Sequence, residues 1–169
     1  MTTTTRLLML SMSAIVVAGC AEPAVPVTPA PTPPGPAQQA LDAYERFWDV
    51  TQEAYTAPGA RDWEPEVSAV ASGAAFDSLM RDIRNYAEFP AHFEGVVSRA
   101  PVVADVTDTS VKIVDCVDLR DSRLVADRTG EVLNDLANRV QRYSYRADVV
   151  LSDDRWLVGG TEAALEEPC

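Results

Sequence analysis

From Gln38 to Thr56 apolar side chains recur three and four positions apart: Ala40, Leu41, Tyr44, Phe47, Trp48, Thr51, Ala54 and Tyr55. That period predicts an amphipathic helix with one buried stripe. Ala57-Pro58-Gly59 ends it. A short segment, Pro65 to Ala71, precedes a second helix over Ala74 to Ala87, striped by Phe76, Leu79, Met80, Ile83 and Tyr86, with Ser72 placed as its N-cap. Pro90 bars its continuation. Beyond it the period falls to two. Val96 to Val106, interrupted by Pro101, and Ser110 to Asp118 read as strands joined by a turn at Asp108-Thr109. Tyr143, Tyr145, Ala147, Val149 and Leu151 alternate with polar neighbours, and Asp153-Asp154-Arg155 turns the chain tightly into Trp156 to Gly160. Between these blocks, Leu119 to Arg139 is read as a strand over Arg123 to Asp127, a turn at Thr129-Gly130, and a short helix or mobile loop over Val132 to Val140.

Helices first and a meandering antiparallel sheet afterwards is an α+β pattern, with the helices on one face of a curved sheet. The 132 residues from 38 to 169 suffice for a single domain with a sizeable core. No internal repeat divides them.

Ahead of that domain the pattern is different. Arg6 is the only charged residue before Cys20, and Leu7 to Val17 is apolar except for Ser11 and Ser13. The run is shorter than the roughly 20 residues a membrane-spanning helix needs, and with its basic start and small-residue end it reads as a secretory signal peptide over residues 1–19. Residues 20–37 then carry Pro23, Pro26, Pro29, Pro31, Pro33, Pro34 and Pro36. Proline fixes φ and lacks an amide donor, so this stretch reads as an extended tether with a reach of about 50 Å at about 3.1 Å per residue. Thr28 and Thr32 lie beside prolines, as glycosylated threonines of surface linkers often do; a bare spacer is the simpler alternative.

Val17-Ala18-Gly19-Cys20 resembles a bacterial lipobox. The resemblance implies diacylglycerol transfer to the Cys20 thiol, cleavage before it, and acylation (palmitate or a similar chain) of the new amine. Two or three acyl chains anchor a protein stably. The expected location is the extracytoplasmic face of the cell membrane. Cleavage removes only Arg6 among the charges, leaving 13 basic against 26 acidic side chains. Such an excess excludes a nucleic-acid partner and a flat seat on anionic lipid.

With Cys20 lipidated, Cys116 and Cys169 remain as the pair that an oxidising exterior would join; two free thiols are the alternative. Two cysteines and one histidine at unrelated spacing make no metal site, and no motif implies a cofactor. His92, beside Pro90 at the entry to the sheet, reads as a partly exposed loop residue. Asp115 is less ordinary. It shares its strand face with Val111, Ile113 and Val117, so it points into an apolar layer. A buried partner for it is expected among Arg139, Arg142 and Arg146; a bulge turning it outward and a tuned catalytic carboxylate are the alternatives. Tyr44, Phe47, Trp48 and Tyr55, with Asp115, are the candidate pocket lining, although at helical spacing such aromatics also suit a core. Trp63 and Trp156 belong to no motif.

The order of elements, with Ser72-Gly73, Ala100 to Val106, Val114 to Asp118, Asp154 to Val158 and the terminal Cys169, resembles the nuclear-transport-factor-2-like (cystatin-like cone) superfamily, and most of all actinobacterial secreted lipoproteins with that domain. The resemblance implies a sheet wrapped round the first helix into a cone whose mouth holds a small apolar ligand. It also implies a non-enzymatic surface lipoprotein that binds a protein partner or such a ligand in the cell envelope. Enzymatic relatives leave an isomerase, cyclase or dehydratase as one alternative. A phage- or prophage-encoded lipoprotein that blocks superinfection is another.

Overall fold

The computed structural model describes residues 34–169; the expected signal peptide, the lipidation site Cys20 and nearly all of the proline-rich tether lie outside them. The first helix, α1 (Pro36–Thr56), starts two residues before the expected domain boundary. Pro36 stands in its first turn, where a missing amide costs nothing and a fixed φ is preorganised. Its apolar stripe is buried as the period requires, from Ala40 through Tyr44, Phe47, Trp48 and Thr51 to Ala54. The segment after the Pro58-Gly59 stop is itself a helix, α2 (Glu64–Val70), which buries Val67 and Val70. Ser72 occupies the N-cap of α3 (Gly73–Glu88), but its side chain makes no capping bond. Its backbone N–H instead donates to Val158 O at 2.9 Å, tying the helix start to the sheet.

The strands are β1 (Ala91–Gly95), β2 (Val102–Val106), β3 (Ser110–Asp118), β4 (Ser122–Ala126), β5 (Arg142–Ser152) and β6 (Arg155–Ala164). Four of them form an antiparallel sheet in the order β2-β3-β5-β6, and β1 pairs with β4 in a separate ribbon. Bulges at Val103/Asp105 and at Asp148/Val149 interrupt the sheet's register, a device that bends and twists strands. The β5–β6 turn is as tight as its sequence implied: Asp153 and Asp154 both take positive φ, 48° and 60°, the geometry of the two-residue hairpin turn that matches strand twist.

The region from 90 to 106 departs from expectation. A strand beginning at Val96 was expected, whereas pairing stops at Gly95 and resumes at Val102. Gly95 has φ +90°, and a Cβ there would lie 1.9 Å from Asp121 O, so only glycine lets β1 turn away beside the start of β4. The link 96–101 keeps one bridge, Ser98 to Asp118. Of the two alternatives for Val132 to Val140, the helix is not formed. Asp135 Oδ1 accepts the N–H groups of Ala137 and Asn138, both at 3.1 Å, as a helix N-cap would, but a single turn follows, closed by the Arg139 N–H donating to Asp135 O at 3.0 Å.

The core lies between the helices and one face of the four-stranded sheet, where Val111, Ile113, Val117, Ala147, Val149 and Val158 meet Tyr44, Phe47, Val67, Leu79 and Ile83. On the opposite face Cys116 bonds to Cys169, with Cα atoms 5.7 Å apart. The tail is further held by Ser144 N–H, which donates to Glu167 O at 2.8 Å, and by a salt bridge between Arg146 and Glu167. The result is the α+β architecture expected from the sequence, with N-terminal helices packed on antiparallel sheet.

Candidate functional site: an aromatic cleft beside the first helix

Trp48, Thr51, Gln52, Tyr55 and Thr56 sit at i, i+3, i+4, i+7 and i+8, one continuous line along the last two turns of α1. This line is one wall of a cleft of about 230 Å³. The facing walls come from Tyr86 at the end of α3, Phe93 of β1, Val97, Leu119 and Tyr143 of β5. Tyr55, Tyr86 and Phe93 form a mutually touching trio. Ring centroids are 5.3 Å apart for Tyr55–Tyr86 and for Tyr86–Phe93, both edge to face, and 5.5 Å for the stacked Tyr55–Phe93 pair. Such pairs hold their geometry beyond what area burial alone provides.

A second cleft of about 290 Å³ adjoins the first, sharing Trp48, Thr51, Tyr55 and Tyr143 with it. Its own residues are Phe47, Ala75, Ser78, Leu79, Asp82, Tyr145, Thr161 and Ala163. The Tyr55 hydroxyl, at the border of the two, donates to Asp82 Oδ2 at 3.3 Å. Burial, and then the Asp82 charge, push the Tyr55 phenol far above its ordinary range. Burial also raises Tyr86 and Tyr143 and pushes Tyr145 up to about 12. The phenols therefore stay protonated at any physiological pH and act as neutral surfaces with hydroxyl donors.

The sequence-derived candidates separate into two groups. Trp48 and Tyr55 line both clefts, and Phe47 lines the second. Tyr44 and Asp115 line neither. Asp115 is 1% exposed, as its place in the strand required, but its partners are not arginines. Oδ2 accepts the Tyr44 hydroxyl at 2.9 Å, and Oδ1 accepts the Ala100 N–H at 2.6 Å. Register explains the correction. Asp115 stands opposite Tyr145, and strand alternation sends Tyr143, Tyr145 and Ala147 to the inner face and Arg142 and Arg146 to the outer one. Arg142 accordingly meets Asp118 at 3.5 Å and Cys116 Sγ at 3.2 Å, while Arg146 meets Glu167 and Glu162. Arg139 donates to the backbone carbonyls of Leu119 and Ser122.

His92 lies on β1 rather than in a loop, and its side chain is 28% exposed. Its Nδ1 is 2.6 Å from Asp127 Oδ1, and this hydrogen bond raises its pKa. Among the described residues no group of three or more His, Cys, Asp or Glu side chains could hold a metal ion.

Tyr86, Phe93, Asp82, Leu119, Tyr143 and Tyr145 are among the cleft residues that sequence patterning did not assign to the site. Tyr86, Tyr143 and Tyr145 were visible as inward positions of their elements. What was missing was that the helix end, β1 and β5 converge on the end of α1.

No protein-family model matches this chain, and no curated protein matches it. Among solved structures, the intermembrane space region of the chloroplast protein ARC6 superposes with a TM-score of 0.58 at 15% identity, over 78% of this chain and 98% of that one. The shared property is the fold. Fainter likenesses, with TM-scores of 0.41 and 0.44, are to an NTF-2 like protein of unknown function from Shewanella oneidensis and to a domain of unknown function with a cystatin-like fold from Nostoc punctiforme. Their identities are 11% and 13%; each covers 73% of this chain, and the chain covers 97% and 75% of them respectively.

Proposed function

We propose that this chain is a non-enzymatic binding protein of the cell envelope, tethered through Cys20, whose domain holds a small, planar, apolar ligand in the cleft beside α1. The observation that carries the proposal is the cleft itself. Aromatic rings from α1, α3, β1 and β5 converge on one concave surface, the usual composition of a small-molecule site. The ligand gains by burying its apolar area, and the protonated phenols offer hydroxyls to orient it. The concave shape favours a small molecule over a protein partner.

Catalysis has less support. The buried carboxylate that an isomerase would use as a base is Asp115, and it is occupied by Tyr44 and Ala100 away from either cleft. The tether reading rests on the leader, the lipobox-like Val17 to Cys20 and the prolines that follow.

Two experiments test the proposal. N-phenyl-1-naphthylamine, a neutral probe that brightens in apolar surroundings, should bind with one-site stoichiometry. Phe93→Ala and Tyr86→Ala should each weaken it about tenfold, since a fully buried aromatic side chain contributes about 1.5–3 kcal/mol. No saturable binding by the wild type would remove the ligand reading. For the tether, intact mass should show acylation at residue 20, and Cys20→Ser should leave the chain soluble or unprocessed; an unmodified thiol in membrane-fraction protein would end that part.

A further inference from the structure

The second cleft differs from the first in its electrostatics. Its rings are Phe47, Trp48, Tyr55, Tyr143 and Tyr145, and a single charged side chain, Asp82, stands among its lining residues. In the first cleft the charge is Glu94, and it is already taken: Arg123 reaches it at 2.7 and 2.9 Å and His92 approaches at 3.5 Å. Among the described residues the one cation that approaches Asp82 is Arg81, whose Nε lies 3.9 Å from Oδ1; the Arg81 side chain is 62% exposed and gives its Nη2 to Ser78 Oγ.

We infer that the Asp82 side of the cleft accepts an organic ammonium group, carried on an apolar or aryl body that extends toward Phe93. The inference deepens the small-ligand reading and rests on it. Its warrant is the pairing of two features. Ring faces carry negative quadrupole charge and attract ammonium groups, most strongly where water is excluded. A carboxylate at the edge of such a surface adds a counter-ion of fixed position. The phenols beside it are protonated, so they shape the site without adding charge to it. An anionic ligand such as a fatty acid would meet the Asp82 carboxylate there and be repelled. The acidic surface, net −12 over the whole chain, concentrates cations near the domain and disfavours anions in the same way.

The test compares three probes of matched size against the full chain by NMR titration. They are phenyltrimethylammonium, the neutral isostere tert-butylbenzene, and benzoate. The ammonium should bind at least tenfold more tightly than the isostere, with shifts at Leu79 and Tyr145, and benzoate should bind worst. Asp82→Asn keeps an oxygen for the Tyr55 hydroxyl; it should reduce ammonium affinity about tenfold and leave the isostere unchanged. Equal affinity of ammonium and isostere would overturn the inference while leaving the apolar-ligand reading intact, as would tighter binding of benzoate. Equal losses for both probes in Asp82→Asn would reduce Asp82 to a structural role and overturn it too. Failure of all three probes would remove both readings together.

Discussion

Asp115 is the residue at which a structural account and a catalytic one part most clearly. Replacing it by alanine removes the acceptor for the buried Tyr44 hydroxyl and for the part-buried bond from the Ala100 N–H. A buried donor left without a partner costs about 1–3 kcal/mol, and the Ala100 amide, on an exposed residue that water can reach, adds less, so the loss is about 1–4 kcal/mol. Relief of the buried charge offsets part of this and places the expectation at the lower end, about 1–3 kcal/mol. Against a total stability of about 5–15 kcal/mol for a domain, that is a large fraction. Tyr44→Phe removes one bond to a charged acceptor and should cost about 1.5–3 kcal/mol. The two losses must not add. Once Tyr44 is gone, losing the carboxylate strands only Ala100, so the double variant should be more stable than the sum implies by about 1–3 kcal/mol. Urea melts of the four proteins at neutral pH, compared at equal m-value, read the coupling directly. Single variants within 0.5 kcal/mol of wild type, or losses that simply add, would refute the reasoning and return Asp115 to the list of catalytic candidates.

The disulfide closes a loop across a sequence separation of 53, so Cys116→Ala should destabilise the domain by about 4 kcal/mol in the chain-entropy picture. Non-reducing peptide mapping should recover the Cys116–Cys169 fragment, and free-thiol labelling of both cysteines would contradict it. His92 is the chain's one histidine, so its titration can be followed alone by NMR. Its midpoint should lie above the ordinary value of about 6.5, chiefly because Nδ1–H bonds to Asp127, and should fall in Asp127→Asn. The imidazolium form then favours folding fully below the ordinary value, and that contribution disappears as pH rises through the raised one.

Much of this fold could be read from period alone. The α1 stripe, the alternation of β3 and the Asp153-Asp154 turn are local patterns, and local patterns are what a sequence displays. Pairings between distant segments are not. β1 has five residues, Ala91 to Gly95, with a histidine, a glutamate and a glycine among them, and it exists because β4 lies alongside. The same limit governed the site. The burial of Asp115 followed from its neighbours on the strand, but its partners did not. Tyr44 is 71 residues away, and the Ala100 amide has no side-chain signal at all. Trp48 and Tyr55 could be proposed for a pocket because they lie on one helix. Tyr86, Phe93 and Tyr143 join them only through the convergence of three other elements.

The central claim is that the groove beside α1 is where this domain meets its ligand. Aromatic and methyl NMR of the full chain, titrated with N-phenyl-1-naphthylamine, tests it most directly. The account predicts saturable shifts confined to Trp48, Tyr55, Tyr86, Phe93 and Tyr143, the rings that line the first cleft. Shifts that never saturate, or that gather instead on the exposed valines of β2, Val102 and Val106, would contradict it.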